Sequence, residues 1–261
     1  MKKLIIIIFI LLFHGLLICQ ENSDIEKQLS PMNKVEMAAF KDTINTNDGK
    51  LFKILVIGNS ITNHGISETI GWTHESGMAA SNIRNDYVHI ILKKTTDLMP
   101  ERKVSMRIAG GASFERNFDT FNYKKMDSLK GYKPDVIIFQ LGENVSFDSI
   151  KTPILFEQKY IKLINYVKAN NKPIVVCTTP FFPSLEKNKV INNVALKTNS
   201  FIADLSHLVL LEKENYSKNE LDYPGDKSKW KSGGIGIHPG DYGMENIALQ
   251  IMVIIKAALE L

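Results

Sequence analysis

Five short apolar runs, rich in β-branched residues, punctuate the chain at 54–57, 104–108, 136–141, 174–178 and 201–205. They are nearly continuous rather than alternating, which suits strands covered on both faces of a parallel sheet. Stretches of helical period lie between them. In 156–167, Phe156, Tyr160, Leu163, Ile164 and Val167 share one face, and Asn170, Asn171, Lys172 and Pro173 end the run. Near the end of the chain Met244, Ile247, Ala248, Ile251, Met252 and Ile255 form a second stripe. Alternating strands and helices predict a doubly wound α/β fold, a three-layer α/β/α sandwich around a parallel sheet of about five strands, with ligands at the carboxyl edge of the sheet. No internal repeat is visible.

The N-terminus follows a different pattern. Lys2 and Lys3 precede an apolar stretch of about 15 residues, interrupted by His14 and Gly15, which is short for a membrane span and reads as a secretory signal over residues 1–19. Leu16, Leu17, Ile18 and Cys19 resemble a bacterial lipoprotein box, in which Cys19 is lipidated; plain cleavage between Cys19 and Gln20 is the alternative. The expected location is therefore secreted, periplasmic or lipid-anchored at the bacterial envelope, with membrane contact only through a lipid on Cys19. In either case Cys177 has no intrachain partner in the mature protein, and its place in an apolar run predicts a small buried hydrophobe. Residues 20–50 are polar and weakly patterned, a linker or N-terminal extension ending in a turn at 45–49. The folded domain is expected over 51–261.

Composition narrows the class. The 261 residues are 44% hydrophobic and 23% charged, enough for one sizeable core. The net charge is +4, and setting aside Lys2 and Lys3 brings the 32 basic and 28 acidic residues closer to balance. Nothing there points to nucleic acid.

The chemistry-bearing residues follow the runs. Gly58, Asn59, Ser60, Ile61 and Thr62 stand behind the first, Gly110 and Gly111 behind the second, and Gly142, Glu143 and Asn144 behind the third; His238 and Pro239 lie near the far end. A hydroxyl is a poor nucleophile unless a base takes its proton, so Ser60 gains meaning if His238 reaches it. The fold rule brings the first three segments to one sheet edge. Each also has a plain structural use: Ser60 as cap of a following helix, Gly110 and Gly111 as a tight turn, Asn144 bonding its own loop, and Asp241 as N-cap of the last helix. Together they favour catalysis. His64, His74, Glu75 and His89 cluster in sequence, but their spacing matches no familiar zinc or iron motif, and no metal is expected. Trp72, Phe147, Tyr223 and Trp230 fall in predicted loops, and the faces of Trp72 and Trp230 are the candidates for binding a sugar ring.

In these four blocks, from Lys53 to the C-terminus, the chain resembles the SGNH hydrolases, the GDSL-type esterase and lipase superfamily. The resemblance implies a flavodoxin-like sandwich and a cofactor-free reaction through an acyl-serine. Ser60 would be the nucleophile and His238 the base, with an oxyanion hole made by the N–H of Ser60, the N–H of Gly110 or Gly111, and the side-chain amide of Asn144. Two positions depart from the family pattern. Asn59 stands where Asp is usual, and Ile235 stands where the acid of the triad is usual, three residues before the histidine. Asp222, Asp226 and Asp241 are the candidates for a relocated acid; the reading adopted is a Ser-His dyad whose imidazole is held by a main-chain carbonyl. By analogy the substrate is a small acyl ester, most simply acetyl, on a carbohydrate. The alternatives are a lipase or lysophospholipase, a catalytically silent glycan-binding module, and an O-acyltransferase. The expected partner is a small-molecule or glycan ester.

Overall fold

Strands β2 (Phe52–Gly58) and β4 (Val136–Gln140) are buried at every position except Lys53, as their unbroken apolar sequences require of the middle of a parallel sheet. In the computed structural model, which describes residues 40–44, 51–150 and 152–260, they are joined by β1 (Phe40–Ile44), β3 (Val104–Gly110), β5 (Ile174–Thr178) and β6 (Phe201–Ala203). The described residues belong to the unit Met37–Leu261. The predicted signal over 1–19, Cys19 included, lies outside the described residues.

The sheet order is β1-β3-β2-β4-β5-β6, and β2 to β6 are all parallel. These five are the strands given by the five apolar runs, wound outward from β2 in both directions, so the strand order reverses there. The pattern did not reveal β1. It lies in the stretch read as polar and weakly patterned, and it pairs antiparallel with the outer edge of β3, from Phe40 opposite Ile108 to Ile44 opposite Val104. An edge strand needs no continuous apolar run, and Phe40-Lys41-Asp42-Thr43-Ile44 has none.

Helices α1 (Tyr87–Leu98), α2 (Ala112–Arg116), α3 (Asp127–Lys130), α4 (Thr152–Lys168), α5 (Leu185–Thr198), α6 (Ser206–Leu211), α7 (Gly233–Ile237) and α8 (Asp241–Leu259) cover the sheet. Side chains alternate across a strand, so β2 feeds both layers. Phe52, Ile54 and Val56 enter one core with Tyr87, Val88, Ile91 and Leu92 of α1 and the predicted stripe of α8. Leu55 and Ile57 enter the other with the predicted stripe of α4 and with Val190, Ile191 and Val194 of α5. Each fully buried Leu, Ile or Val in these layers stabilises the fold by about 1.5–3 kcal/mol. Cys177 is buried in β5, where burial pushes its thiol pKa up to about 12, so it behaves as a hydrophobe.

Candidate active site

The nucleophile turn is built by Asn59. β2 ends at Gly58, and the Asn59 Oδ1 accepts from Ile61 N at 3.1 Å while its carbonyl accepts from Thr62 N and Asn63 N, both at 3.0 Å. No helix follows at once. The next α-helix starts at Tyr87, so Ser60 is not an N-cap, and its N–H has no acceptor among the described residues. The turn aims Ser60 Oγ at His238 Nε2, 2.9 Å away.

His238 follows α7 directly and is fixed through its main chain, its N donating to Ile235 O (3.0 Å) and its carbonyl accepting from Ser217 N (2.9 Å). On the ring, Nδ1 lies 2.6 Å from Gly234 O. A carbonyl only accepts, so Nδ1 carries the hydrogen and Nε2 is left as the acceptor facing Ser60 Oγ. Phe182 meets the ring edge-on at 5.6 Å. Burial pushes the imidazole pKa down to about 4; the Gly234 carbonyl opposes this and nearby His64 adds to it.

None of the three candidate acids is bonded to His238. Asp222 is exposed; Asp226, also exposed, accepts from Ser228 N (3.0 Å) and Ser228 Oγ (2.5 Å). Asp241 accepts from Ser81 N (2.7 Å), Ser81 Oγ (2.5 Å) and Asn85 Nδ2 (2.7 Å). Its reading as a helix cap is corrected as well, because Gly240 is the N-cap and Asp241 is the first helical residue, with three donors from a distant loop. Ile235, where the family acid would stand, is fully buried beside Trp72, Met78 and Ala79, while the carbonyl one residue earlier takes the Nδ1 hydrogen.

These contacts set two expectations. Asp222→Asn, Asp226→Asn and Asp241→Asn should each keep ester hydrolysis within about tenfold, whereas loss of a true triad carboxylate can cost on the order of 10⁴. Asp241→Asn should nonetheless lose about 1–3 kcal/mol in thermal or urea unfolding, since an amide cannot accept all three bonds. A collapse of kcat in one variant would name that residue as the acid. The second expectation concerns pH. His238 acts as a base only when neutral, and its pKa is lowered from 6.5 to about 4, so kcat/KM should hold as pH falls through 6 and decline only near 4. An acid limb at 6.5 or above would contradict this placement of the imidazole.

The two glycines at the end of β3 are not equivalent: Gly110 closes the strand and Gly111 follows it. Gly111 N donates to Gly58 O at 2.6 Å, so that N–H is already engaged against the end of β2. A Cβ on Gly111 would come within 2.4 Å of Leu141 Cδ2, which explains a glycine there. After β4, Gly142 has φ +126°, open only to glycine, and this bend delivers Asn144 to the same edge.

Two carboxyls, Glu115 buried and Glu143 half-buried, organise these loops. Glu115, in α2 and 1% exposed, accepts from Asn59 Nδ2 (3.2 Å) and Gly142 N (2.5 Å) on one oxygen and from Asn144 Nδ2 (2.7 Å) on the other. Burial raises its pKa, and the bonds from Asn144, Gly142 and Asn59 oppose the shift. Glu143 accepts from Phe181 N (2.6 Å), Phe182 N (3.3 Å) and Gln140 Nε2 (3.2 Å), and burial pushes its pKa up to about 8. It thereby holds the Phe181–Phe182 segment that packs on His238. Gln140 also accepts from Thr62 Oγ1 (3.2 Å), tying the nucleophile turn to β4.

The aromatic prediction is half overturned. Trp72 is 1% exposed, folded under by its bridge to Ser67, and its Nε1 donates to His64 O (3.3 Å); it is a core residue and cannot offer its face to a sugar. Trp230 is partly buried against the same cluster and meets Tyr223 edge-on at 5.4 Å. The histidines disperse: His64 Nδ1 faces Gly65 O, His89 Nδ1 faces Asp86, and His74 stacks edge-on against Trp72. No group of three His, Cys, Asp or Glu side chains placed to hold a metal occurs among the described residues.

No protein-family model matches the sequence, and no curated protein matches it. Solved structures share its fold. One is a family two carbohydrate esterase from Clostridium thermocellum in complex with cellohexaose, with 18% identity and a TM-score of 0.51 over 83% of this chain and 67% of that one. Another is a family two carbohydrate esterase from Cellvibrio japonicus, with 18% identity and a TM-score of 0.52 over 83% of this chain and 64% of that one. A two-domain esterase active on acetylated mannans, co-crystallised with mannopentaose, has 16% identity and a TM-score of 0.52 over 88% of this chain and 53% of that one. The chain therefore spans about half to two thirds of the length of these neighbours. At such identities the likeness is one of fold alone.

Proposed function

We propose that this protein is an SGNH-type serine esterase that removes a small acyl group, acetyl in the first instance, from a carbohydrate, and that it works outside the cytoplasm behind its N-terminal leader. The observation that carries the proposal is the pairing of Ser60 Oγ with His238 Nε2 at 2.9 Å, with Nδ1 held by Gly234 O. Ser60 Oγ attacks the ester carbonyl as Nε2 takes its proton, giving a tetrahedral oxyanion. That oxygen is received by the N–H of Ser60, the N–H of Gly110 and the amide of Asn144. Collapse breaks the acyl–oxygen bond, and the imidazolium returns the proton to the departing sugar hydroxyl. Water then attacks the acyl-serine as His238 takes its proton; the acyl–Oγ bond breaks, the imidazolium returns that proton to Ser60 Oγ, and the carboxylic acid leaves. The imidazolium is stabilised by a neutral carbonyl instead of a carboxylate, which agrees with the low pKa of His238 and implies a slower base than a full triad provides.

The carbohydrate assignment is supported by the neighbours, two named as carbohydrate esterases and the third as active on acetylated mannans, with oligosaccharides bound in two of the structures. The test is release of acetate from acetylated xylan, mannan and oligosaccharides, run beside p-nitrophenyl esters of increasing chain length. Acetate release from glycans and a fall in kcat/KM beyond short acyl chains are expected. A preference for long chains would make the protein a lipase. Inactivity on every ester, with Ser60 refusing a fluorophosphonate label, would make it a binding module.

A further inference from the structure

An Asn amide can turn either its oxygen or its nitrogen toward a substrate, and only the nitrogen stabilises an oxyanion. In this site the choice is made by Glu115. Its carboxyl, buried one helical turn beyond Gly111, accepts the Asn144 Nδ2 at 2.7 Å, so the amide nitrogen stays on the Glu115 side and its second hydrogen is left for another acceptor. The opposite oxygen accepts from Gly142 N at 2.5 Å, fixing the bend that carries Asn144, and from Asn59 Nδ2 at 3.2 Å, fixing the turn that carries Ser60. All three side-chain and turn partners are donors, which suits an acceptor-only carboxylate.

We propose that Glu115 is a positioning residue of the esterase, joining the nucleophile turn to the oxyanion amide and forbidding the flipped Asn144. The proposal rests on the esterase reading above. It also accounts for Asn59: a carboxylate at that position would face the Glu115 oxygen at about the same 3.2 Å as a second acceptor, whereas the amide donates to it.

The test is a four-way comparison on p-nitrophenyl acetate of the parent, Glu115→Gln, Asn144→Ala and the double variant, with thermal unfolding of each. Gln keeps the shape but presents an N–H₂ where a donor must be received. Glu115→Gln should lower kcat by about 10- to 10²-fold with KM changed less than about threefold, since a small misplacement acts on the transition state. In the Asn144→Ala background the same replacement should cost several-fold less than in the parent, because one of the two groups it positions is gone and only its hold on the nucleophile turn remains. A purely structural Glu115 would cost the same factor in both backgrounds, and that result, or full kcat in Glu115→Gln, overturns the proposal while leaving the esterase reading intact. A folded parent inactive on every ester overturns both. If Glu115→Gln does not fold, Glu115→Asp, which keeps the charge and shortens the reach to Asn144, goes through the same comparison with the same two outcomes.

Discussion

Ser60→Ala is expected to reduce ester hydrolysis by at least about 10⁴-fold in a protein that unfolds at nearly the parent temperature, and His238→Ala to match it. The Ser60 hydroxyl has His238 Nε2 as its side-chain partner at 2.9 Å, and removing one such bond at a half-buried site costs about 1 kcal/mol or less. Stability and activity should therefore separate cleanly. His238→Ala removes more, because the Gly234 bond and the Phe182 contact go with the ring, so its unfolding temperature should fall further while its activity falls no further. The two groups act as one unit: without the base the hydroxyl stays protonated, and without the hydroxyl the base has nothing to deprotonate. The double variant should accordingly be within a few-fold of either single one. A well-folded Ser60→Ala protein that keeps most of its activity would remove the serine mechanism altogether.

How much of this was legible in the sequence depends on whether a residue's role is fixed by its neighbours in the chain. The run at 136–141 reads as a central strand because burial on both faces leaves no polar position, and the α4 and α8 stripes read as helices because 3.6-residue spacing survives any tertiary detail. Ser60, Gly110 and Asn144 could be placed at one edge because each follows a parallel strand. The failures are long-range. β1 is defined by pairing with β3 and has no apolar run of its own. Trp72 sits in a loop, and only the fold shows that loop tucked against Ile235. Asp241 precedes an amphipathic stripe, as a cap would, but its donors Ser81 and Asn85 lie far back in the chain. Glu115 beside Arg116 looks like a solvated charge on a short helix, and its partners come from two other blocks. The acceptor on His238 was anticipated as a main-chain carbonyl, but a carbonyl has no residue-type signature, so Gly234 could not be named.

Asn144→Ala is the second large effect, and it tests whether the third block takes part in chemistry. One Nδ2 hydrogen of Asn144 is engaged by Glu115, and in the proposed mechanism the other meets the oxyanion beside the two backbone donors. The charge on that oxygen grows as the tetrahedral species forms, so the bond is stronger in the transition state than with the ground-state carbonyl. Removing one such donor should lower kcat by about 10² to 10³, equivalent to about 2.7–4 kcal/mol, with KM changed only modestly. Residual hydrolysis should persist through the two backbone donors, and its pH profile should keep the His238 limb near 4, because the imidazole is untouched. The Glu115 carboxyl loses a partner in this variant, so a modest drop in unfolding temperature is expected beside the kinetic loss. A rise in KM with kcat unchanged would assign Asn144 to substrate binding, and a fall in kcat matched by unfolding would assign it to the fold; either result would leave the oxyanion with two donors and take the third block out of the mechanism.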